Sequence, residues 1–236
     1  MQHFFGSIQG DEVILSKEEV HHLLHVKRAQ VGEEIEVSDG KNVSLCRVDS
    51  LEPLRISVVG KADSSRELPV HVTLAFGTLK GDHNELIVQK GTELGVSEFI
   101  PFVSLRTVVK PKEAEDGKLI RLRRVAQESA KQCRRGQIPF VSAYCSLAEL
   151  LGRKEELKLF AYESEALTGL SLAETLRKNE STSILVVIGP EGGFSDAEAN
   201  SLKEAGFIPV SLGKRILRAE TAAIFCASVI SACIEG

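Results

Sequence analysis

Ile184-Leu185-Val186-Val187-Ile188 runs without a polar break into Gly189-Pro190-Glu191-Gly192-Gly193-Phe194, and Ser195 follows with Glu198 three residues on. An unbroken apolar, β-branched run is the pattern of a strand buried on both faces, as in the middle of a parallel sheet. The glycines let the backbone bend or approach a ligand closely, and Pro190 sets the turn. Ser195 with Glu198 is a capping box that opens a helix. Strand, glycine turn and helix in this order form an α/β unit. In open α/β sheets ligands bind beyond the carboxyl ends of the strands. The spacing matches neither the dinucleotide fingerprint nor the P-loop, which excludes both readings.

The same alternation extends outward from Pro69. Strands are expected at Val70–Phe76, Phe99–Val103, Leu157–Tyr162 and Phe207–Leu212. Helices are expected near His83–Leu94 and Lys118–Arg134, with further capping boxes at Ser146–Glu149 and Ser171–Glu174. A second strand end, Leu212-Gly213-Lys214-Arg215-Ile216-Leu217-Arg218, leads into a final helix, Ala219–Ile234. That helix is apolar nearly all round and must be buried on several sides, within the subunit or at a dimer interface. A third strand end, Phe160-Ala161-Tyr162-Glu163, can complete a pocket with the other two.

Upstream of Pro69 the pattern differs. Short strands are expected at His3–Ser7, Glu12–Leu15, Glu34–Ser38, Val43–Ser50 and Arg55–Lys61, with a helix opened by Ser16 and Glu19. Many short strands in so few residues predict a small β-barrel. Polar Ala62–Glu67 reads as a linker, so residues 1–68 and 69–236 form two domains.

Composition narrows the function. Of 236 residues, 43% are apolar and 26% charged, the balance of a soluble globular chain. No apolar run is long enough for a membrane span, and the N-terminus lacks a basic, then apolar, leader, so a cytoplasmic protein is expected. Five cysteines without paired spacing argue for reduced thiols in place of disulfides or zinc. No His, Asp and Glu cluster has metal spacing, so no metal is expected. The net charge is −4, yet Leu105–Arg135 carries ten basic and four acidic residues, leaving −10 for the remainder. A basic stripe on an acidic body fits a polyanion, although a solvated helix face gives the same pattern.

Four motifs bring a family into view: His22-Leu23-Leu24-His25-Val26-Lys27-Arg28 with Asp39-Gly40; Lys80-Gly81, Glu85, Gln89-Lys90 and Glu93-Leu94-Gly95; Gly189-Pro190-Glu191-Gly192-Gly193; and Leu212-Gly213 with Leu217-Arg218-Ala219-Glu220-Thr221-Ala222. Gln132-Cys133-Arg134-Arg135 with Pro139 is a weaker fifth. Together they span nearly the whole chain in order. The chain resembles the ribosomal RNA small-subunit methyltransferase E family of the SPOUT superfamily. Leu105 before Arg106 and Lys131 before Gln132 depart from the family pattern, outside the two presumed cofactor loops.

The resemblance implies a PUA-like N-terminal barrel, a C-terminal SPOUT α/β domain with a trefoil knot, and a homodimer. It implies S-adenosylmethionine as donor and uracil N3 in the 3′-terminal decoding region of 16S ribosomal RNA in the small subunit as acceptor. Ile188, Gly189, Pro190, Glu191, Gly192, Gly193, Leu212, Gly213, Leu217, Arg218, Glu220, Thr221 and Ala222 are then expected to hold the cofactor. Uracil N3 must lose a proton to attack, which requires a base or a cation that stabilises the uracil anion. Arg218 and then Arg106 are candidates for the cation, and Glu191 or Glu163 for the proton acceptor. RNA phosphates are expected on Lys27, Arg28, Arg106, Lys110, Lys112, Arg121, Arg124, Arg134 and Arg135. Ribose 2′-O methylation and a non-catalytic ribosome-assembly role stay open at this stage.

Overall fold

The computed structural model describes residues 1–62, 66–108, 117–163 and 170–236. They divide into two compact units, Met1–Glu67 with Ala130–Ile138, and Leu68–Ser129 with Pro139–Gly236. No helix among the described residues is long and apolar enough to cross a membrane.

In the first unit, β1 (Gln2–Gln9), β2 (Glu12–Leu15), β3 (Glu34–Ser38), β4 (Val43–Leu51) and β5 (Leu54–Lys61) close into a barrel in the order β1-β2-β5-β4-β3. The closing pair, β1 with β3, is parallel. Phe4, Leu23, Ile35, Val37, Cys46, Val48 and Ile56 fill the interior. Helix α1 (Lys17–His21) starts where Ser16 Oγ accepts from the Glu19 N–H at 3.2 Å. The other half of the expected capping box is missing, because the buried Glu19 carboxylate turns to Lys131 Nζ at 2.6 Å. One π-helical turn, His22–Val26, follows.

Residues 130–138 join this unit through polar contacts. Arg135 Nε donates to Glu67 Oε2 at 3.0 Å and the Gln137 N–H to Glu67 Oε1 at 3.1 Å. Ser38 Oγ donates to the Gly136 carbonyl. Arg66 forks onto Glu36 at 3.1 and 2.9 Å and donates to the Arg134 carbonyl at 2.9 Å. Burial works to raise the Glu36 carboxyl, but hydrogen bonds from Arg66 and His3 outweigh it and hold the group below its usual range. Of the expected linker, residues 63–65 lie outside the described residues, while Arg66 and Glu67 are anchored in this unit.

The second unit is a parallel sheet of β6 (His71–Gly77), β7 (Glu98–Val103), β8 (Phe140–Val141), β9 (Cys145–Ser146), β10 (Leu157–Ala161), β11 (Ser183–Ile188) and β12 (Ile208–Val210). Its order is β12-β10-β11-β6-β7-β8, with β9 also paired to β7. Strand β11 lies at its centre, and both of its faces are buried. Ile184, Val186 and Ile188 join the layer beneath α2 (His83–Glu93) and α7 (Ala219–Glu235). Leu185 and Val187 join the opposite layer with Phe160, Phe194, Leu202 and Phe207. That explains the unbroken apolar run.

Helices α4 (Leu147–Leu151), α5 (Leu172–Lys178) and α6 (Asp196–Glu204) each begin with a complete capping box, at Ser146–Glu149, Ser171–Glu174 and Ser195–Glu198. Helix α3 (Gly117–Gln132) matches the expected long helix and stops before Arg134, whose φ of 60° cannot continue it. Helix α7 buries Ala222, Ala223, Cys226, Ala227 and Ile230 and leaves Phe225 40% exposed.

Candidate functional site

The segments that leave the carboxyl ends of β10, β11 and β12 surround a cavity of about 570 Å³. Pairing Phe160 with Val187 and Ala161 with Val210 sets these ends side by side. The cavity is lined by Ala161, Tyr162 and Glu163 after β10, by Ile188, Gly189, Pro190, Glu191, Gly193 and Phe194 at β11, and by Val210, Leu212, Gly213, Arg215, Ile216, Leu217, Arg218, Ala219, Glu220 and Ala222 after β12. The two turns singled out in the sequence therefore converge on one cleft. Gly192 and Thr221 are not among the lining residues.

Lys80 and His83, from the connection between β6 and α2, also line the cavity and were not expected there. They arrive because β6 pairs with β11, Phe76 opposite Ile188, and Glu191 reaches across to that connection. Its Oε1 accepts from the Lys80 N–H at 2.9 Å. Below it, the Cα of Gly77 packs so close to Pro190 that a Cβ there would lie 2.5 Å from the Pro190 nitrogen. His83 Nδ1 lies 3.5 Å from Glu220 Oε1 across the cavity wall. Lys80 stands in the Lys80-Gly81 motif, but nothing local ties it or His83 to the turn after β11, since the Glu191 contact spans more than a hundred residues.

Arg218 sits at the N-cap of α7 with extended backbone and no side-chain capping bond. Arg218 lines the cavity and is exposed, and its guanidinium has no ion-pair or hydrogen-bond partner among the described residues. The first N–H groups of α7 have no partner within the helix and face the same end. Glu163 also lines the cavity and is exposed. Arg106 is not among the lining residues. Its Nη1 donates to the Gly192 carbonyl at 3.0 Å and the Phe194 carbonyl at 3.2 Å. Among the described residues, no group of three or more His, Cys, Asp or Glu side chains could hold a metal ion.

The expected phosphate contacts separate into several environments. Lys27, Arg28, Arg124 and Arg134 are exposed, the two arginines Arg28 and Arg134 with φ of 53° and 60°. Arg121 is exposed but paired with Glu85 at 2.7 Å. Lys110 and Lys112 lie outside the described residues. Arg135 corrects the expectation: it is 3% exposed and committed to Glu67, so its charge is spent inside the first unit and no phosphate can reach it.

The RNA methyltransferase domain family matches residues 66–231, and the RNA methyltransferase PUA domain family matches residues 15–59. A Bacillus subtilis protein named ribosomal RNA small subunit methyltransferase E is 38% identical over 92% of this chain and 88% of its own length. A Synechocystis protein of the same name is 34% identical over 94% and 74%. Among solved structures, a methyltransferase from Legionella pneumophila with bound S-adenosylmethionine is 30% identical with a TM-score of 0.83, covering 98% of this chain and 96% of that one. The Neisseria gonorrhoeae ribosomal RNA small subunit methyltransferase E, bound to S-adenosylmethionine, is 28% identical with a TM-score of 0.85, covering 98% and 97%. With the barrel, the parallel sheet and the converging loops in place, these matches establish that the chain belongs to the ribosomal RNA small subunit methyltransferase E family.

Proposed function

We propose that this protein transfers a methyl group from S-adenosylmethionine to N3 of one uridine in the 3′-terminal decoding region of 16S ribosomal RNA. The observation that carries the reading is the convergence of the Gly189–Gly193 turn and the Leu212–Ala222 segment around one cavity. Its volume falls within the usual range of small-molecule sites. Ile188, Leu212, Leu217 and Ala222 offer an apolar wall to a purine ring, and the first turn of α7 offers unpaired N–H groups to polar atoms. These residues fit the donor, which supplies an electrophilic methyl group on sulfur.

The protein's work is alignment and charge. Fixing donor and acceptor in one geometry can supply at most roughly 7–11 kcal/mol of the barrier. Arg218, lining the cavity with an uncommitted guanidinium, is positioned to stabilise negative charge on a uracil that has lost its N3 proton. Glu163 is the better proton acceptor of the two candidates, because Glu191 already accepts from Lys80. A paired uracil hides N3, so the base is taken unpaired or flipped, with phosphates held by exposed residues such as Lys27, Arg28, Arg121, Arg124 and Arg134.

The same reading includes the trefoil knot and a homodimer. Exposed Leu86, Ile120 and Phe225, on α2, α3 and α7, supply apolar surface for a second copy. The deciding experiment incubates the protein with labelled S-adenosylmethionine and unmethylated small subunits, then locates the label by nuclease digestion and mass spectrometry. Label on uracil N3 supports the reading; label on a ribose 2′-oxygen, or none, rejects it.

A further inference from the structure

We infer that Arg106 is a positioning residue that braces the cofactor turn from outside, and is not the cation that meets the acceptor base. The inference rests on the methyl-transfer reading above and narrows its machinery. Nη1 of Arg106 donates to the carbonyls of Gly192 and Phe194, on either side of Gly193. Charge-assisted bonds to two carbonyls flanking one residue fix which side of the turn faces inward. Gly193 accordingly lines the cavity, and Gly192 does not. The arginine stem also presses on the turn: a Cβ on Gly192 would lie 3.0 Å from Arg106 Cβ.

The segment that carries Arg106 is itself held. The Ser104 N–H donates to Thr107 Oγ1 at 2.9 Å, and the Thr107 N–H to the Ser104 carbonyl at 3.2 Å, with both side chains buried. Glu198 then ties this turn to the far side of the glycine turn. Its Oε1 accepts from the Leu105 N–H at 2.8 Å, while its Oε2 accepts from the Ser195 N–H at 2.9 Å. One carboxylate therefore joins the turn after β7 to the start of α6. A residue recruited only to bind phosphate or base needs no such anchoring on both sides of the cofactor turn.

The test compares wild type with Arg106→Ala, Arg106→Lys and Glu198→Gln. Calorimetric titration of S-adenosylmethionine should show affinity falling about tenfold in R106A, close to 1.4 kcal/mol, and partly regained in R106K. Affinity for a 16S RNA fragment and its salt dependence should stay unchanged, and the single-turnover rate should recover at saturating donor. Amide hydrogen exchange of residues 189–195, measured without ligand, should rise in R106A and E198Q but not in Arg218→Ala. An unchanged donor affinity with weaker RNA binding and a shallower salt slope would make Arg106 a phosphate contact and overturn the inference. Loss of turnover at saturating donor and RNA would make it catalytic and overturn it equally. A wild type that takes up no donor defeats the methyl-transfer reading, while the exchange data still decide whether Arg106 braces the turn.

Discussion

Replacing Gly77 by alanine should disturb the proposed donor site from behind, by pushing on Pro190. The added Cβ would lie 2.5 Å from the nitrogen, 2.7 Å from Cδ and 2.9 Å from Cα of Pro190. Comfortable separations between such atoms are about 3.5 Å, so something must move by about 1 Å. Strand β6 cannot yield readily, because Gly77 pairs with Phe102 and the Thr78 N–H donates to the Phe102 carbonyl at 3.0 Å. The displacement passes to the turn Gly189–Glu191, which lines the cavity. Overpacking of this kind costs roughly 1–3 kcal/mol, or a melting temperature lower by about 2–12 °C for a chain of this size. A displacement of about 1 Å at a positioning element can cost up to about a hundredfold in rate. Circular dichroism melting, calorimetric titration of S-adenosylmethionine and kcat/KM measure the three consequences. Gly60→Ala is the control, since a Cβ there meets nothing within 4 Å. A Gly77→Ala protein with wild-type melting temperature and donor affinity would refute the reasoning, because the close approach would then constrain nothing.

Arg218→Ala should lower turnover by roughly 10²–10³-fold while donor and RNA affinities change only a few-fold; equal losses in all three would assign Arg218 a structural role. Arg135→Ala should destabilise the first unit by about 1–3 kcal/mol, read from urea unfolding, because the Glu67 carboxylate loses its charge-assisted hydrogen bonds from Arg135. Burial works to raise the Glu198 carboxyl, but N–H donors from Ser195 and Leu105 outweigh it and hold the group below its ordinary 4.5. A lowered native pKa contributes stability in full above that ordinary value and loses it as pH falls through the native one. Melting temperature followed from pH 7 downward should therefore fall more steeply below about 4.5 in wild type than in Glu198→Gln; parallel curves would contradict this.

The parallel sheet was legible because a strand covered on both faces has no polar positions, and Ile184–Ile188 shows that directly. The barrel strands and the three complete capping boxes were legible for the same reason, since each depends on residues within one turn or one strand. Strands β8 and β9 left no trace, because two residues are too few to carry a period. The expected strand at Phe207–Leu212 contracts to Ile208–Val210, as Ser211 bridges to Ser171 and Leu212 walls the cavity.

Local spacing determined that two glycine-bearing turns follow sheet strands and open helices, at the strand ends where open α/β sheets bind ligands. Only the tertiary structure decided which side chains face the cleft between them. Arg106 was drawn outward by the Gly192 and Phe194 carbonyls, Arg135 was buried against Glu67, Lys80 was tied in by Glu191, and His83 lies against Glu220. Each depends on a hydrogen bond or ion pair between segments remote in the chain, and a periodic pattern along one segment carries no record of such a partner.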